Sequence, residues 1–261
     1  MKKMIIVLNR FLRFFIVAAL LAIFLPYASA QRMKVRNLTS YDLAPYHFGF
    51  ILGMNDMRFT IKTKPGFQDL VFYNYQGESG SVVPDSVRLY GIQHQGYLGF
   101  TIGIVSNLRI NDYFDLRFIP SLSFGERDIE YSLLTYYNGE SSQRKISEKT
   151  QSTFVEFPFH LKYKGSRLNN VRPYWLVGGK YAIDLASDSG KNSGNTIVLM
   201  QNDVYGEMGA GLDFYTTFFK FGIELKMSYG MRDMLKRKAN VYTYPVERLS
   251  SKMFLISFTF E

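Results

Sequence analysis

Residues Asp203–Tyr229 read DVYGEMGAGLDFYTTFFKFGIELKMSY, and their alternation decides the fold. Up to Phe214 the even positions are apolar or small: Val204, Gly206, Met208, Ala210, Leu212 and Phe214. The odd positions between them include Asp203, Glu207 and Asp213. After Thr216–Thr217 the phase reverses, and Phe219, Phe221, Ile223, Leu225, Met227 and Tyr229 are the apolar set. Alternation of period two marks strands with one oily and one polar face. A phase reversal over two residues predicts a tight hairpin with Tyr215 opposite Phe218. On the polar face that register sets Asp213 against Lys220 and Glu207 against Lys226, and such cross-strand pairs fix register. Each strand is longer than the five or six residues common in globular proteins. About 9–11 residues with one continuous apolar face suit a tilted strand crossing a bilayer. A large soluble sandwich or lipocalin-like barrel is the competing reading of the hairpin alone.

The start of the chain favours export. Met1–Ala30 reads as a secretory signal: Lys2, Lys3, Arg10 and Arg13, an apolar core from Phe14 to Leu25, then Ala28-Ser29-Ala30 for cleavage. That core is short for a membrane-spanning helix. The whole chain carries a formal charge of +9, but four of its basic residues and no acidic ones lie in this segment. The mild excess left is not a nucleic-acid-binding signature. There is no cysteine, so no disulfide supports the exported chain and no lipid-anchored cysteine follows the signal. The 23 Phe and 19 Tyr match the aromatic girdles that a membrane barrel places at its two interfaces.

Residues 31–45 are polar and irregular, a short periplasmic leader before a barrel over 46–261. Alternating segments then begin near Tyr46, Gly96, Tyr113, Thr153, Val171, Asp203, Phe218 and Lys252. Pro120 lacks an amide hydrogen, which predicts a bend within the third. The stretches 60–93, 126–152, 186–202 and 231–248 read as long loops, and those near Asn111, Arg167 and Thr216 as short turns. The expectation is all-β: an eight-stranded antiparallel outer-membrane β-barrel, with the long loops outside and both termini in the periplasm. The aromatic, alternating ending also resembles the insertion signal of such barrels.

Eight strands leave an interior that side chains just fill. Arg117, Glu156, His160, Lys180, Asp184, Glu207, Asp213, Lys220, Glu224 and Lys226 fall on the inward face. Their mixed signs predict a paired lumen network that plugs the barrel rather than a charge-lined conduit. Catalysis has little support. His47, His94 and His160 lie on different strands, and no nucleophile with a base and an orienting group is apparent. His94, near the outer end of its strand, is the one histidine placed where lipid-modifying barrels act. No cofactor, phosphate-binding glycine loop or metal-spaced cluster is read, and no small-molecule substrate is implied. The expected partners are outer-membrane lipid and lipopolysaccharide; Arg232, Lys236, Arg237 and Lys238 form a basic loop able to touch its phosphates or simply to face solvent.

Several runs carry a resemblance: YHFGFILGMN at 46–55, GIVSNLRINDYFDLRFIPSLSFGER at 103–127, STFVEFPFHLKYKGSRLNNVRPY at 152–174 and GEMGAGLDFYTTFFKFGIELKMSYG at 206–230. With the ending SKMFLISFTFE, they resemble the PorT (SprT) proteins of the Bacteroidetes type IX secretion system. The resemblance implies an accessory outer-membrane component needed for export or maturation of secreted proteins, with other secretion-system proteins as partners and no catalytic residues to carry over. Two alternatives stand beside it: a passive structural or lipid-binding small barrel of OmpA type, and an outer-membrane enzyme acting on lipid.

Overall fold

The computed structural model describes residues 35–73, 83–186, 197–237 and 240–261. The export signal, Lys238 and most of the 186–202 stretch lie outside the described residues. The strands are β1 (Tyr46–Thr63), β2 (Val71–Phe72), β3 (Ser86–Arg109), β4 (Phe114–Phe118), β5 (Ser121–Tyr137) and β6 (Glu140–Lys164). They continue as β7 (Val171–Asp184), β8 (Val198–Leu199), β9 (Asn202–Tyr215), β10 (Lys220–Gly230), β11 (Leu235–Lys236) and β12 (Val246–Phe260). Counting β4 and β5 as one broken strand, eight long strands form an antiparallel ring in which each pairs with its chain neighbour and β1 pairs with β12. Closure removes the sheet edges that a bilayer could not hydrate. The break between β4 and β5 falls at Ile119–Pro120, where the missing amide hydrogen interrupts the ladder.

The outward face is an apolar belt. Phe48, Phe50, Leu52 and Met54 on β1, Leu98, Phe100, Ile102 and Ile104 on β3, and Trp175 and Val177 on β7 are all exposed. Met208, Leu225, Phe254 and Ile256 continue it round the ring. Stacked cross-strand pairs support it, Phe100 with Phe124 and Phe118 with Phe159 at centroid separations of 4.7 and 4.4 Å.

The structure corrects the hairpin register. Tyr215 pairs with Lys220, not Phe218, so Asp213 lies opposite Gly222 and Glu207 opposite Ser228. The connection is four residues, Thr216–Phe219. The Thr216 hydroxyl donates to the Phe219 carbonyl at 2.6 Å and accepts from the Phe219 amide at 3.1 Å. A shift of two residues leaves every side chain on its expected face, because the side-chain period is two. The apolar pattern therefore specifies parity and cannot tell these two registers apart.

One expected loop is largely strand, and two others are shortened by strand at their ends. The stretch 126–152 is a hairpin that prolongs β5 and β6 around Asn138–Gly139, whose φ values of 48° and 86° give a tight turn. Likewise β1 runs on to Thr63, β3 begins at Ser86 and β12 at Val246. Beyond the bilayer both faces of a strand can be polar, so the Glu140–Ser152 run loses the alternation that marks a membrane strand. Asn-Gly was the remaining signal. Within this extension Phe59, Leu89, Tyr131, Leu133, Leu199, Leu235, Tyr242 and Leu249 form the largest apolar core. The short β8–β11 pair contributes to it, so the connections before and after β9–β10 close over this end of the ring.

Candidate functional site

Inside the ring, inward positions recur at every second residue, and most strands set charged side chains among them. The nine charged residues assigned to the lumen, Arg117, Glu156, Lys180, Asp184, Glu207, Asp213, Lys220, Glu224 and Lys226, are all buried, as is His160. They fall into three levels along the axis.

The lowest level lies at the end where β1 begins and β12 ends. Arg117 bridges Glu224 Oε2 at 2.7 Å and Glu261 Oε1 at 3.2 Å. The second oxygen of Glu261 holds Lys220 at 2.6 Å. Glu224 also accepts from the Tyr174 hydroxyl at 2.9 Å and faces Lys226 at 3.3 Å. Gly211 makes room for the Tyr174 ring: a Cβ there would lie 2.4 Å from the phenol. Asp213 takes Lys162 at 2.7 Å, and that ammonium stands 3.6 Å over the Tyr174 ring. Asp115 pairs with Lys164 and accepts from Asn107.

The middle level centres on Lys180, which reaches Glu156 at 2.9 Å and Glu207 at 3.2 Å. His160 Nε2 lies 2.6 Å from Glu207. The Ser228 hydroxyl donates to Glu207, and that of Ser123 to Glu156 at 3.0 Å. The chain of contacts continues across the ring through Thr101 to Asn55. The upper level is Arg127, which pairs with Asp184 at 3.2 Å and donates to Ser152 and Ser251. Its guanidinium lies 4.4 Å from the Phe59 ring centroid, where charge gives way to the apolar core above.

Both pairings expected from the hairpin fail for one reason. With the register moved by two, Glu207 finds Lys180 and His160 from neighbouring strands, and Asp213 finds Lys162. The expected cations, Lys226 and Lys220, face Glu224 and Glu261 instead. Arg127, Lys162, Lys164, Asp203 and Glu261 also enter the interior. Parity sets Lys162 and Lys164 on the face of Glu156 and His160, Asp203 on that of Glu207, and Glu261 inward as well; Arg127 was hidden because its stretch read as loop.

A stopper covers the lower mouth. Residues Tyr41–Leu43 form a 3-10 turn. Asp42 accepts from the Tyr215 hydroxyl at 2.8 Å and meets Arg172 at 3.3 Å. Tyr41 stacks on His47 at 3.9 Å and donates to Glu261 at 3.4 Å. Burial raises the Tyr41 phenol above its ordinary range, with Lys220 pulling the other way. Arg109 donates to the Leu43 carbonyl at 3.3 Å, and Arg172 to that of Asp112 at 2.7 Å. Asn107, Arg109, Asp115, Lys164, Arg167 and Arg172, from the runs NLR, YFDLRF, LKYKGSR and RPY, thus converge on this mouth. Among the described residues no cluster of three or more His, Asp or Glu could hold a metal ion.

A family model described as an outer membrane protein beta-barrel domain matches residues 30–236. Of solved structures, the outer membrane protein OprG from Pseudomonas aeruginosa aligns with a TM-score of 0.40 and 11% identity, covering 83% of this chain and 95% of its own. Neisserial surface protein A aligns with a TM-score of 0.39 and 12% identity, covering 83% and 99%. No curated protein sequence gives a significant match.

Proposed function

We propose, from the premise that the chain belongs to the outer membrane protein beta-barrel domain family and is an outer-membrane β-barrel, that it acts in type IX protein secretion through protein–protein contacts. The observation that carries the contact mechanism is the filled interior. A stopper, two levels of paired charges, Arg127 and an apolar core succeed one another along the axis. A barrel without a passage works through its surfaces. The secretion assignment comes from the resembling runs, and their polar residues build one surface, the lower mouth. Both termini and this mouth face the periplasm in this reading, where secretion components and unfinished cargo would meet them; the long hairpin and apolar cap face outside. In this reading the barrel acts through contacts rather than catalysis, with His47 stacked on Tyr41 and His160 held by Glu207 in the buried network.

Deletion of the gene tests the role. Secreted cargo should disappear from the medium while its precursor accumulates in the periplasm, and reintroduced wild-type chain should restore export. Normal export after deletion overturns the proposal. Unchanged export with altered lipid A would instead identify an enzyme, and unchanged export and lipid with a weakened envelope would identify a structural barrel.

A further inference from the structure

The outward face of the β1–β12 seam changes character at one height. Below it the register sets Phe50 against Phe260, Leu52 against Phe258 and Met54 against Ile256. Asp56 then faces Phe254, and one step further Arg58 lies directly opposite Lys252. Beyond, Lys62 lies directly opposite Arg248. Like charges directly opposite on a sheet destabilise it. One member of each pair is already held by a carboxylate, Arg58 by Asp56 and Lys62 by Glu247, which leaves Lys252 and Arg248 as the cations that a bound anion would compensate.

The height is informative. Twelve residue steps separate Arg58 from Tyr46. At about 3.4 Å per residue and a tilt of about 40°, Arg58 stands about 30 Å above Tyr46, against an apolar band about 25 Å tall. The cations therefore begin where the acyl chains end and the headgroups start. The site is also built. Arg58 Nε lies 2.9 Å from Asp56 Oδ2 and one terminal nitrogen bonds the same oxygen. The other terminal nitrogen has no acceptor among the described residues. Gly96 of β3 lets this fork lie close to the sheet: a Cβ there would sit 2.4 Å from Asp56 Oδ1 and 2.8 Å from Arg58 Cγ. The Lys252 ammonium stands 4.8 Å over the Phe254 ring and has no carboxylate partner among the described residues. Its stem follows apolar surface while its head reaches the interface, the usual posture of a lysine at a membrane boundary. Arg248 has no carboxylate partner among the described residues, whereas Lys62 meets Glu247 at 2.8 Å.

We propose that Arg58 and Lys252 bind the phosphate of a phosphorylated lipid headgroup, with its acyl chains against Met54, Phe254 and Ile256. An arginine offering one free nitrogen and a lysine opposite give charge-assisted bonds to a phosphate, and Asp56 orients the arginine. Lys62 and Arg248 stand two repeats of the pleat higher, within reach of a second phosphate or sugar acid. The assignment to the outer leaflet rests on the periplasmic placement of the termini; the phosphate preference does not.

The test uses the full chain in detergent micelles with three probes: lipid A carrying its phosphates, dephosphorylated lipid A, and inorganic phosphate. Native mass spectrometry reads the bound lipid. Wild-type protein should retain the phosphorylated lipid about tenfold more tightly than the dephosphorylated one, and the double variant Arg58→Gln with Lys252→Gln should lose most of that preference. Lys145→Gln, a cation of the distant hairpin paired with Glu130, should leave it unchanged. Equal binding of the two lipids, a preference that survives the double variant, or an equal loss in Lys145→Gln overturns the site. Displacement of the lipid by millimolar inorganic phosphate overturns the lipid as ligand. Should the double variant fail to show heat-modifiable mobility, Lys252→Gln alone carries the test, with a smaller loss of preference expected and none counting against the site. If surface labelling reverses the orientation while the preference stands, only the leaflet assignment falls.

Discussion

Replacing Lys180 with Met should be among the most damaging single changes inside the barrel. The ammonium holds two carboxylates at once, Glu156 at 2.9 Å and Glu207 at 3.2 Å. At an effective dielectric of about 20 these contacts are worth about 6 and about 5 kcal/mol before desolvation. Desolvation of three buried ions, at several kcal/mol each, offsets most of that gain. Removing the cation leaves the offset uncompensated, so the expected loss is about 3–5 kcal/mol. The carboxylates are not equally exposed to the loss. Glu207 keeps His160 and Ser228, whereas among the described residues Glu156 keeps the hydroxyls of Ser123 and Ser121. Glu156→Gln or Glu207→Gln alone should cost less, about 1–3 kcal/mol, because Lys180 retains the other carboxylate. The triple variant Lys180→Met, Glu156→Gln, Glu207→Gln should recover much of the Lys180→Met loss, since no unpaired charge remains. Lys226→Met should not rescue Glu207→Ala, because Lys226 faces Glu224. Urea unfolding in detergent, read by tryptophan fluorescence at Trp175 and by heat-modifiable gel mobility, measures each of these variants. A Lys180→Met loss under about 1 kcal/mol, or no larger than that of the exposed Lys145→Met, would mean a hydrated, high-dielectric lumen and would refute the reasoning.

Three further outcomes follow from the geometry. Thr216→Val should cost about 1 kcal/mol in the same unfolding assay, because the hydroxyl that both donates to and accepts from Phe219 is lost; an unchanged midpoint would show that the turn does not depend on it. A cysteine at exposed Ser141 should be labelled by a membrane-impermeant reagent on intact cells and one at exposed Ser166 should not; the opposite pattern reverses the orientation. Partial burial pushes the Asp233 carboxyl up, but the Leu249 and Leu235 amides and Arg237 outweigh it and hold the group below its ordinary value. Its contribution is therefore present above the unfolded value of about 4 and fades as pH falls through the lower folded value. Protease nicking of the 231–246 connection should rise as pH drops below about 4 in the wild type, and Asp233→Asn should flatten that dependence.

The filled interior also has a direct electrical consequence. Pure protein in planar bilayers should show no stable, large conductance steps, since charge pairs and an apolar core occupy successive levels of the ring. Reproducible steps would remove the basis for a contact mechanism.

What the residues determined by themselves was parity. Alternation along Asp203–Tyr229, and along every other membrane strand, assigns each side chain to lipid or lumen, because a pleated strand turns successive side chains to opposite faces. The belt from Phe48 to Ile256 and the inward place of Arg117, Glu156 and Glu224 follow from that rule and from a bilayer's demand for an unbroken apolar surface. Which charge meets which was decided by the closed ring. Register in steps of two is invisible to a period of two, so Thr216–Phe219 could shift every partner in the last hairpin without moving one residue from its face. Glu207 then meets Lys180 and His160 across strands, distances that only ring size and strand stagger define. The extension beyond the bilayer was hidden for a related reason. Glu140–Ser152 is strand because it pairs with β5 around Asn138–Gly139, and without lipid on one side nothing forces its side chains to alternate.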